Sequence, residues 1–315
     1  MTTLVHGHAD PDVTPAIIVQ VEKRNSFYDP TKPEAALARL LVEHVPSVEK
    51  DHFRGSSTAV AITTVKPARA FTAWSANAKP GGKNHGYCAD VLMITASAEG
   101  IRGTSDASGS LRTSGGISAT PANDAAVLPF NDPAGAQGRY YGQPGHSTFD
   151  KIIGGGLHIR AVIGRNDIMP LFDSSCVGNT AISGGDYGGN PLATLTGDST
   201  FGKFIFAVFA NLDTMGKPIR DAGNAILHTA AEAVQVLGGG SRVQLVTTDQ
   251  PSVNDRSMSR DAGIDTWLDK LHRSLFVTGM TLPYCGLSCG SSAIGPADVD
   301  ECLASFQQAV MGLKA

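Results

Sequence analysis

Cysteine is scarce in this chain. Its 315 residues include five cysteines, an odd number, and no two of them form a Cys-x-x-Cys pair. The chain therefore lacks both the paired framework of a small secreted domain and the ligand spacing of a structural zinc site. From these absences we expect reduced thiols, a cytoplasmic location and no bound metal ion.

Long apolar runs and an excess of charge are also missing. No apolar run reaches the roughly 18 residues that a membrane-spanning helix needs, and residues 1–12 do not have the pattern of a signal peptide. The net charge is −4, with 25 basic and 29 acidic residues. A balance this close to neutral excludes the strongly basic surface of a protein that binds nucleic acid or an anionic membrane.

Glycine, by contrast, is abundant, with 36 residues in the chain. The glycines cluster at 154–156, 184–189 and 238–240, which indicates tight turns and close approach of the backbone to a ligand. The length suggests about two domains. No Gly-x-Gly-x-x-Gly follows a strand, so the sequence does not favour a dinucleotide site.

Helical and strand patterns alternate along the chain. Thr31 to Glu34 has the pattern of a capping box, which predicts a helix over 33–45. A second helix is predicted over 59–73, kinked or ended early by Pro67. Further helices are predicted over 166–172, 191–212, 219–237 and 296–313, strands over 91–94, 125–130, 157–163 and 242–247, and loops over 97–124 and 250–264. This alternation predicts an α/β fold with a largely parallel sheet.

Lys151 is followed by two isoleucines and three glycines. Closely packed backbone and apolar surroundings would hold a lysine rigidly and lower its pKa, which suits a lysine that forms a Schiff base. The alternative is a solvated lysine that precedes a strand. Most lysines are solvated, so the motif alone favours the alternative.

Two other motifs could bind a ligand. Ser56, Ser57 and Thr58 begin a helix, where free backbone N–H groups bind anions. The alternative is an ordinary Ser/Thr helix cap. The glycine-rich segment 184–190 leads into a helix that starts with Pro191, and it either lines a ligand or forms a simple turn.

In this order the motifs resemble the fold-type I, class III aminotransferases that depend on pyridoxal phosphate (PLP), most closely glutamate-1-semialdehyde 2,1-aminomutase and its amino-transferring relatives. The resemblance covers most of the chain. The matching stretches are 45–50, 56–58, 84–86, 128–132, 135–142, 148–157, 165–169 and 188–193, together with Leu287–Ser288 and the helix from Asp298 to Leu313.

The resemblance implies the PLP-dependent transferase fold of type I, with a mostly parallel central sheet flanked by helices and a small C-terminal α+β domain. We expect an N-terminal segment and helix over 1–50, a large PLP-binding domain over 51–212 and the small domain over 213–315. It also implies an enzyme that transfers an amino group from a small amino donor. The expected assembly is a homodimer with shared active sites.

The resemblance assigns roles to particular residues. Lys151 is implied to be the catalytic residue, which forms the Schiff base and moves the substrate proton. Ser56, Ser57 and Thr58 are implied to hold the cofactor phosphate, and Asn84, His85 and Gly86 to lie beside the pyridine ring. The loop with Asp186, Gly189 and Asn190 is implied to reach the phosphate in the neighbouring subunit's site.

Some positions depart from the family pattern. Asn84 stands where the family has an aromatic residue, Ser57 where it has glycine, and Asp186 where it has threonine. The segment that carries the family's pyridine-nitrogen aspartate is missing after Asp132. Asp132 either takes over that role or is a turn carboxylate before Pro133. These departures support an alternative, a non-catalytic or impaired protein of the aminotransferase fold.

Overall fold

The chain forms two compact units in the computed structural model. One is Ala9–Lys203, and the other combines Met1–His8 with Phe204–Ala315. The structure describes residues 3–23, 26–27, 29–45, 48–74, 77–80, 125–128, 145–173, 181, 185, 187–204, 206–247, 262–283 and 286–313. The division into segments 1–50, 51–212 and 213–315 stays a prediction. The predicted elements at 91–94 and 97–124 lie outside the described residues.

The first unit contains helices, strands and two short 3₁₀ helices. The α-helices are α1 (Val13–Lys23), α2 (Lys32–His44), α3 (Ser57–Thr72) and α4 (Pro191–Phe201). The strands are β1 (Lys50–Arg54), β2 (Asn77–Pro80), β3 (Ala125–Leu128), β4 (His146–Phe149) and β5 (Arg160–Gly164). The 3₁₀ helices are η1 (Lys151–Gly154) and η2 (Met169–Phe172).

Strand β5 is the central strand of a three-stranded sheet. It pairs antiparallel with β1 on one side and with β4 on the other, and all five of its residues are buried. Strands β2 and β3 pair parallel to each other. Among the described strands this is the one parallel pairing, and the predicted strand at 91–94 falls outside them.

Helix α2 begins as its sequence predicts. The Thr31 hydroxyl accepts from the Glu34 backbone N–H, and the Glu34 carboxylate accepts from the Thr31 N–H, so the capping box is confirmed. Leu37 and Leu41 of this helix are fully buried. Pro67 lies inside α3 but does not end it, because the helix continues to Thr72.

The second unit packs helices around an antiparallel sheet of order β6–β7–β8. Its strands are β6 (Gln235–Leu237), β7 (Arg242–Val246) and β8 (Leu287–Cys289), and its helices are α5 (Phe206–Thr229), α6 (Ala262–Val277) and α7 (Pro296–Gly312). Leu227, Leu271, Leu275 and Val310 are among the buried residues of its core.

Two helix predictions are wrong. The segment 191–212 is not one helix, because α4 ends at Phe201 and α5 begins at Phe206. The segment 219–237 does not stay helical either, since α5 ends at Thr229 and 235–237 is a strand. Val234 and Val236 are both buried, two positions apart as in a strand. Gly238 then begins a hairpin, with a φ of +152°, and does not end a helix.

The remaining described elements fall close to their predicted positions. The strand predicted at 157–163 is β5, the helix predicted at 166–172 is η2, and the strand predicted at 242–247 is β7. Helix α7 matches its predicted range, and Phe306, Ala309 and Val310 are its buried residues. Within the described part of the chain, no helix is long and apolar enough to cross a membrane.

Candidate functional site

The structure describes six of the predicted site residues, namely Ser56, Ser57, Thr58, Lys151, Gly189 and Asn190. The other five, Asn84, His85, Gly86, Asp132 and Asp186, lie outside the described residues. Their predicted roles stay predictions.

The first helical turn of α3 directly follows the end of β1. Ser56 is the N-cap residue, and its hydroxyl accepts from the Ala59 backbone N–H at 3.1 Å. The ordinary capping role is therefore confirmed for Ser56. A cap satisfies one backbone donor, and the other N–H groups of a first turn still favour an anion.

Lys151 begins η1, directly after β4 and Asp150. Ile153 and Gly154 of the same turn are buried, while the Lys151 side chain is 44% exposed. Its Nζ lies 3.9 Å from Asp150 Oδ2. The structure thus places this amine beside a carboxylate and partly in solvent, whereas the sequence predicted apolar surroundings.

Asp150 connects the lysine to the start of α3. Its Oδ1 accepts from the Ser57 hydroxyl at 2.8 Å and from Arg160 Nε at 2.6 Å. Arg160 Nε also donates to Ser57 Oγ at 3.3 Å, and its guanidinium donates to Gly55 O at 3.4 Å. These contacts bring β5, η1 and α3 together at one point.

Sequence reasoning missed Asp150 and Arg160. One signal was present, because Arg160 is a charged residue at the start of a strand whose next residues are all apolar or glycine. A charged group is seldom buried without a partner. The identity of the partner depends on how β5 lies against η1, which the sequence does not show.

The charges at this point are mostly positive. Burial would raise the pKa of Asp150, but hydrogen bonds from Ser57 and Arg160 outweigh it and hold that pKa below its ordinary value. Arg54 lies directly opposite Arg160 in the β1–β5 pair and is also buried. Arg54 Nε donates to Thr63 Oγ1 at 3.2 Å, and burial lowers the pKa of its guanidinium.

The loop 187–190 packs against the end of β1 in the same chain. A β-carbon added at Gly188 would lie 2.8 Å from Phe53 O, and one added at Gly55 would lie 3.8 Å from Tyr187. Asn190 is the N-cap of α4, and its Oδ1 accepts from the N–H groups of residues 192 and 193. The loop therefore serves as a turn and a cap, while its predicted ligand contacts stay predictions.

Gly189 has a positive φ of +67°, and a β-carbon there would overlap the Glu34 carboxylate. A residue other than glycine would be strained at this position by its backbone and by its neighbour.

Chemically, this site combines an exposed amine with a cationic helix start. Among the described residues, no three His, Cys, Asp or Glu side chains lie together in a way that could bind a metal ion. The amine suits a covalent bond to a carbonyl carbon, and the cationic helix start suits an anion such as phosphate.

No family model matches the chain. Among curated proteins, it is 25% identical to a glutamate-1-semialdehyde 2,1-aminomutase from Methanothermobacter thermautotrophicus, over 99% of this chain and 86% of the relative. The aminomutase of that name from Roseiflexus castenholzii is 28% identical over 80% of this chain and 70% of the relative.

Solved structures of transaminases and of an aminomutase also resemble this chain. An omega-transaminase from Sphaerobacter thermophilus is 26% identical, with a TM-score of 0.90 over 100% of this chain and 86% of its own. The chain is thus similar in sequence and fold to class III, fold-type I aminotransferases. A glutamate-1-semialdehyde aminomutase from Pseudomonas aeruginosa, 15% identical with a TM-score of 0.79 over 98% of this chain and 82% of its own, shows the same fold.

The predicted fold class is therefore confirmed, and so is the predicted resemblance to class III aminotransferases with a shorter chain. The chain has 315 residues against about 430 in its class III relatives. The alignment with the Methanothermobacter protein runs over 368 positions, more than this chain has residues. That relative thus carries internal segments that this chain lacks.

Proposed function

We propose that this chain is an enzyme that transfers an amino group with PLP as its cofactor, as an aminotransferase or an aminomutase, and that Lys151 binds the cofactor covalently. The observation that carries the proposal is the position of Lys151. One carboxylate, that of Asp150, separates its amine from the first turn of α3.

The described residues fit this cofactor. PLP carries an aldehyde and a phosphate on one aromatic ring, so it needs an amine and an anion site close together. Lys151 Nζ faces one oxygen of Asp150, and the Ser57 hydroxyl bonds the other. An amine and a helix start separated by one carboxyl group meet that requirement.

These residues of the proposed site then have separate roles. Ser56, Ser57 and Thr58 bind the phosphate through the N–H and hydroxyl groups of the first turn of α3. Lys151 Nζ would hold the cofactor through its aldehyde carbon. Once the amino group of the substrate has displaced it from that carbon, the free amine would move the proton of the substrate carbon that bears the amino group. When bound, PLP supplies the electron-withdrawing ring that stabilises negative charge on that carbon.

The remaining predicted residues complete the proposed site. From the family resemblance, Asn84, His85 and Gly86 are proposed to contact the ring and Asp132 the pyridine nitrogen. Asp186, Gly189 and Asn190 are proposed to contact the phosphate in the site of a neighbouring subunit. The protein is accordingly proposed to be a cytoplasmic homodimer that acts on a small amino donor.

The absorbance spectrum of the protein with added PLP tests this function. The wild-type chain is expected to turn yellow, and borohydride reduction followed by peptide mapping should place the label on Lys151. Lys151→Ala should lose the colour, while Lys23→Ala, which changes an exposed lysine on α1, should keep it. A wild-type protein that stays colourless with PLP would contradict the proposal.

One observation favours a second candidate function, a non-catalytic protein with the aminotransferase fold. The Ser57 hydroxyl, a proposed phosphate ligand, already donates to Asp150 at 2.8 Å. An assay of amino transfer with a broad panel of amino donors separates the two candidates. Transfer that disappears in Lys151→Ala would rule out the non-catalytic alternative.

A further inference from the structure

We propose that Asp150 competes with the cofactor phosphate for Arg160 and Ser57, and that Arg160 becomes a phosphate ligand when the competitor moves away. This inference rests on the proposed function. It assigns opposite roles to two residues. Arg160 raises the affinity for the phosphorylated form of the cofactor, and Asp150 lowers that affinity.

The geometry shows the competition directly. Asp150 Oδ1 accepts from both Arg160 Nε and the Ser57 hydroxyl, at 2.6 and 2.8 Å. The guanidinium is also tied to Gly55 O in the turn before α3. An anion bound at this helix start would meet the same donors, so phosphate and the Asp150 carboxylate cannot both occupy them.

The two partners differ in burial. The Arg160 side chain is 9% exposed, whereas the Asp150 side chain is 47% exposed. A buried guanidinium needs an anionic partner, because leaving it unpaired costs several kcal/mol. A half-exposed carboxylate loses little when it turns to water. Asp150 is thus the partner that can leave, provided that another anion replaces it.

The Asp150 side chain is also not required by its own helix. Asp150 is the N-cap residue of η1, yet its side chain makes no capping hydrogen bond. Its carboxylate bonds Ser57 and Arg160 instead. Releasing this side chain therefore removes no capping hydrogen bond from the turn that carries Lys151, although it removes the interaction of the carboxylate with the Lys151 backbone N–H.

The local charge favours phosphate over carboxylate. Arg54 and Arg160 lie opposite each other on β1 and β5, and both are buried. Like charges opposite each other in a sheet repel, and the N-terminus of α3 adds a partial positive charge. A phosphate dianion carries more negative charge than one carboxylate, and guanidinium binds phosphate in bidentate geometry.

Opposite effects of two similar substitutions follow. Asp150→Asn keeps the shape but removes the competing charge, so it should raise the affinity for PLP. Arg160→Gln should lower it. A hydrogen bond to a charged group corresponds to roughly a 10- to 100-fold change in affinity. Pyridoxal, which lacks the phosphate, should bind Arg160→Gln as it binds the wild type. Asp150 also lies 3.9 Å from Lys151 Nζ, so its substitution affects both aldehydes, and the ratio of their dissociation constants isolates the contribution of the phosphate.

The experiment measures dissociation constants of PLP and of pyridoxal by absorbance titration of the full-length chain and its variants. The expected ratio of pyridoxal to PLP dissociation constants rises in Asp150→Asn and falls in Arg160→Gln. Arg165→Gln is the matched control, because Arg165 lies just beyond the other end of β5 and pairs with Asp167 at an exposed site. Its ratio should equal that of the wild type.

Arg160→Lys is a second variant in case Arg160→Gln does not fold. Its ratio should lie below that of the wild type and above that of Arg160→Gln. A ratio that is unchanged in Asp150→Asn, or that moves in the same direction in the Asp150 and Arg160 variants, would overturn the inference. A wild-type chain whose Lys151 is labelled by neither aldehyde would overturn the proposed function itself, and this outcome is distinct from an unchanged ratio.

Discussion

Asp51 and His52 are neighbours on β1 whose side chains point to opposite faces of the sheet. Burial, together with the negative charge of Glu34, raises the pKa of Asp51 to about 6. Burial, together with the positive charge of Arg54, lowers the pKa of His52 to about 4. In both residues the folded state favours the uncharged form.

The two shifts change stability in opposite directions. Asp51 binds its proton more tightly in the folded state, so its contribution is present below its ordinary pKa of 3.8 and is lost as pH rises through about 6. His52 contributes above its ordinary pKa of 6.5, and this contribution is lost as pH falls through about 4. Their effects therefore largely cancel in the wild-type protein.

Substitution of either residue should expose the effect of the other. Asp51→Asn is expected to raise the free energy of unfolding by about 1–3 kcal/mol at pH 7 and by little at pH 4. Urea unfolding at pH 4, 5.5 and 7 measures this difference. His52→Phe keeps a ring against Phe172. Relative to the wild type, it should raise the free energy of unfolding more at pH 4 than at pH 7. If the free energies of unfolding of Asp51→Asn and the wild type differ by the same amount at all three pH values, the pKa of Asp51 is not raised.

At the scale of elements, α4 supports the turn that carries Lys151. Gly197 of α4 lies so close to η1 that an added β-carbon would be 2.6 Å from Ile153 O and 2.8 Å from Leu37 Cδ2. Backbone cannot yield as a flexible side chain does. The lysine is thus positioned by a close packing of η1 on a helix.

Gly197→Ala should therefore destabilise the protein by about 1–3 kcal/mol through overpacking, although alanine favours a helix by about 1 kcal/mol over glycine. Thermal unfolding measures the loss, and labelling of Lys151 with PLP and borohydride should decrease with it. The control is Gly312→Ala in α7, where nothing lies within 4 Å of an added β-carbon. Equal stability of the two variants would contradict the proposed packing constraint.

Element boundaries were predictable where local chemistry determines them. Thr31 and Glu34 begin α2 by bonding each other's backbone within four residues, and the Ser56 hydroxyl caps α3 by accepting from the Ala59 N–H. The end of α5 was not predictable, because Val234 and Val236 fit either a helix or a strand by local pattern. Pairing of β6 with β7 makes that segment a strand.

At the scale of the whole molecule, the assembly remains a prediction from the family resemblance. Helix α1 exposes three aliphatic side chains, Ile18, Val19 and Val21, each of them about half exposed. Exposed apolar residues that lie together often mark an interface with another protein. The second unit exposes Phe276 and Val277 near the end of α6.

Sedimentation velocity of the wild-type chain should give twice the mass of one chain at micromolar concentration. Ile18→Glu should shift this equilibrium toward the monomer, because a charge on α1 would be buried at an interface there. Val277→Glu, at an exposed position in the second unit, should not shift it. A wild-type protein that sediments as a monomer would contradict the homodimer.

The sequence by itself determined the fold class and the helix starts at Thr31 and Ser56, and it supplied the prediction for Lys151. These depend on caps, periodicity and the order of motifs, all of which are read along the chain. Only the tertiary structure brought Ser57, Asp150 and Arg160 together, because they lie on three elements up to 103 positions apart. Strand register and helix packing decide such contacts, and one residue of slip would turn Arg160 to the other face of the sheet.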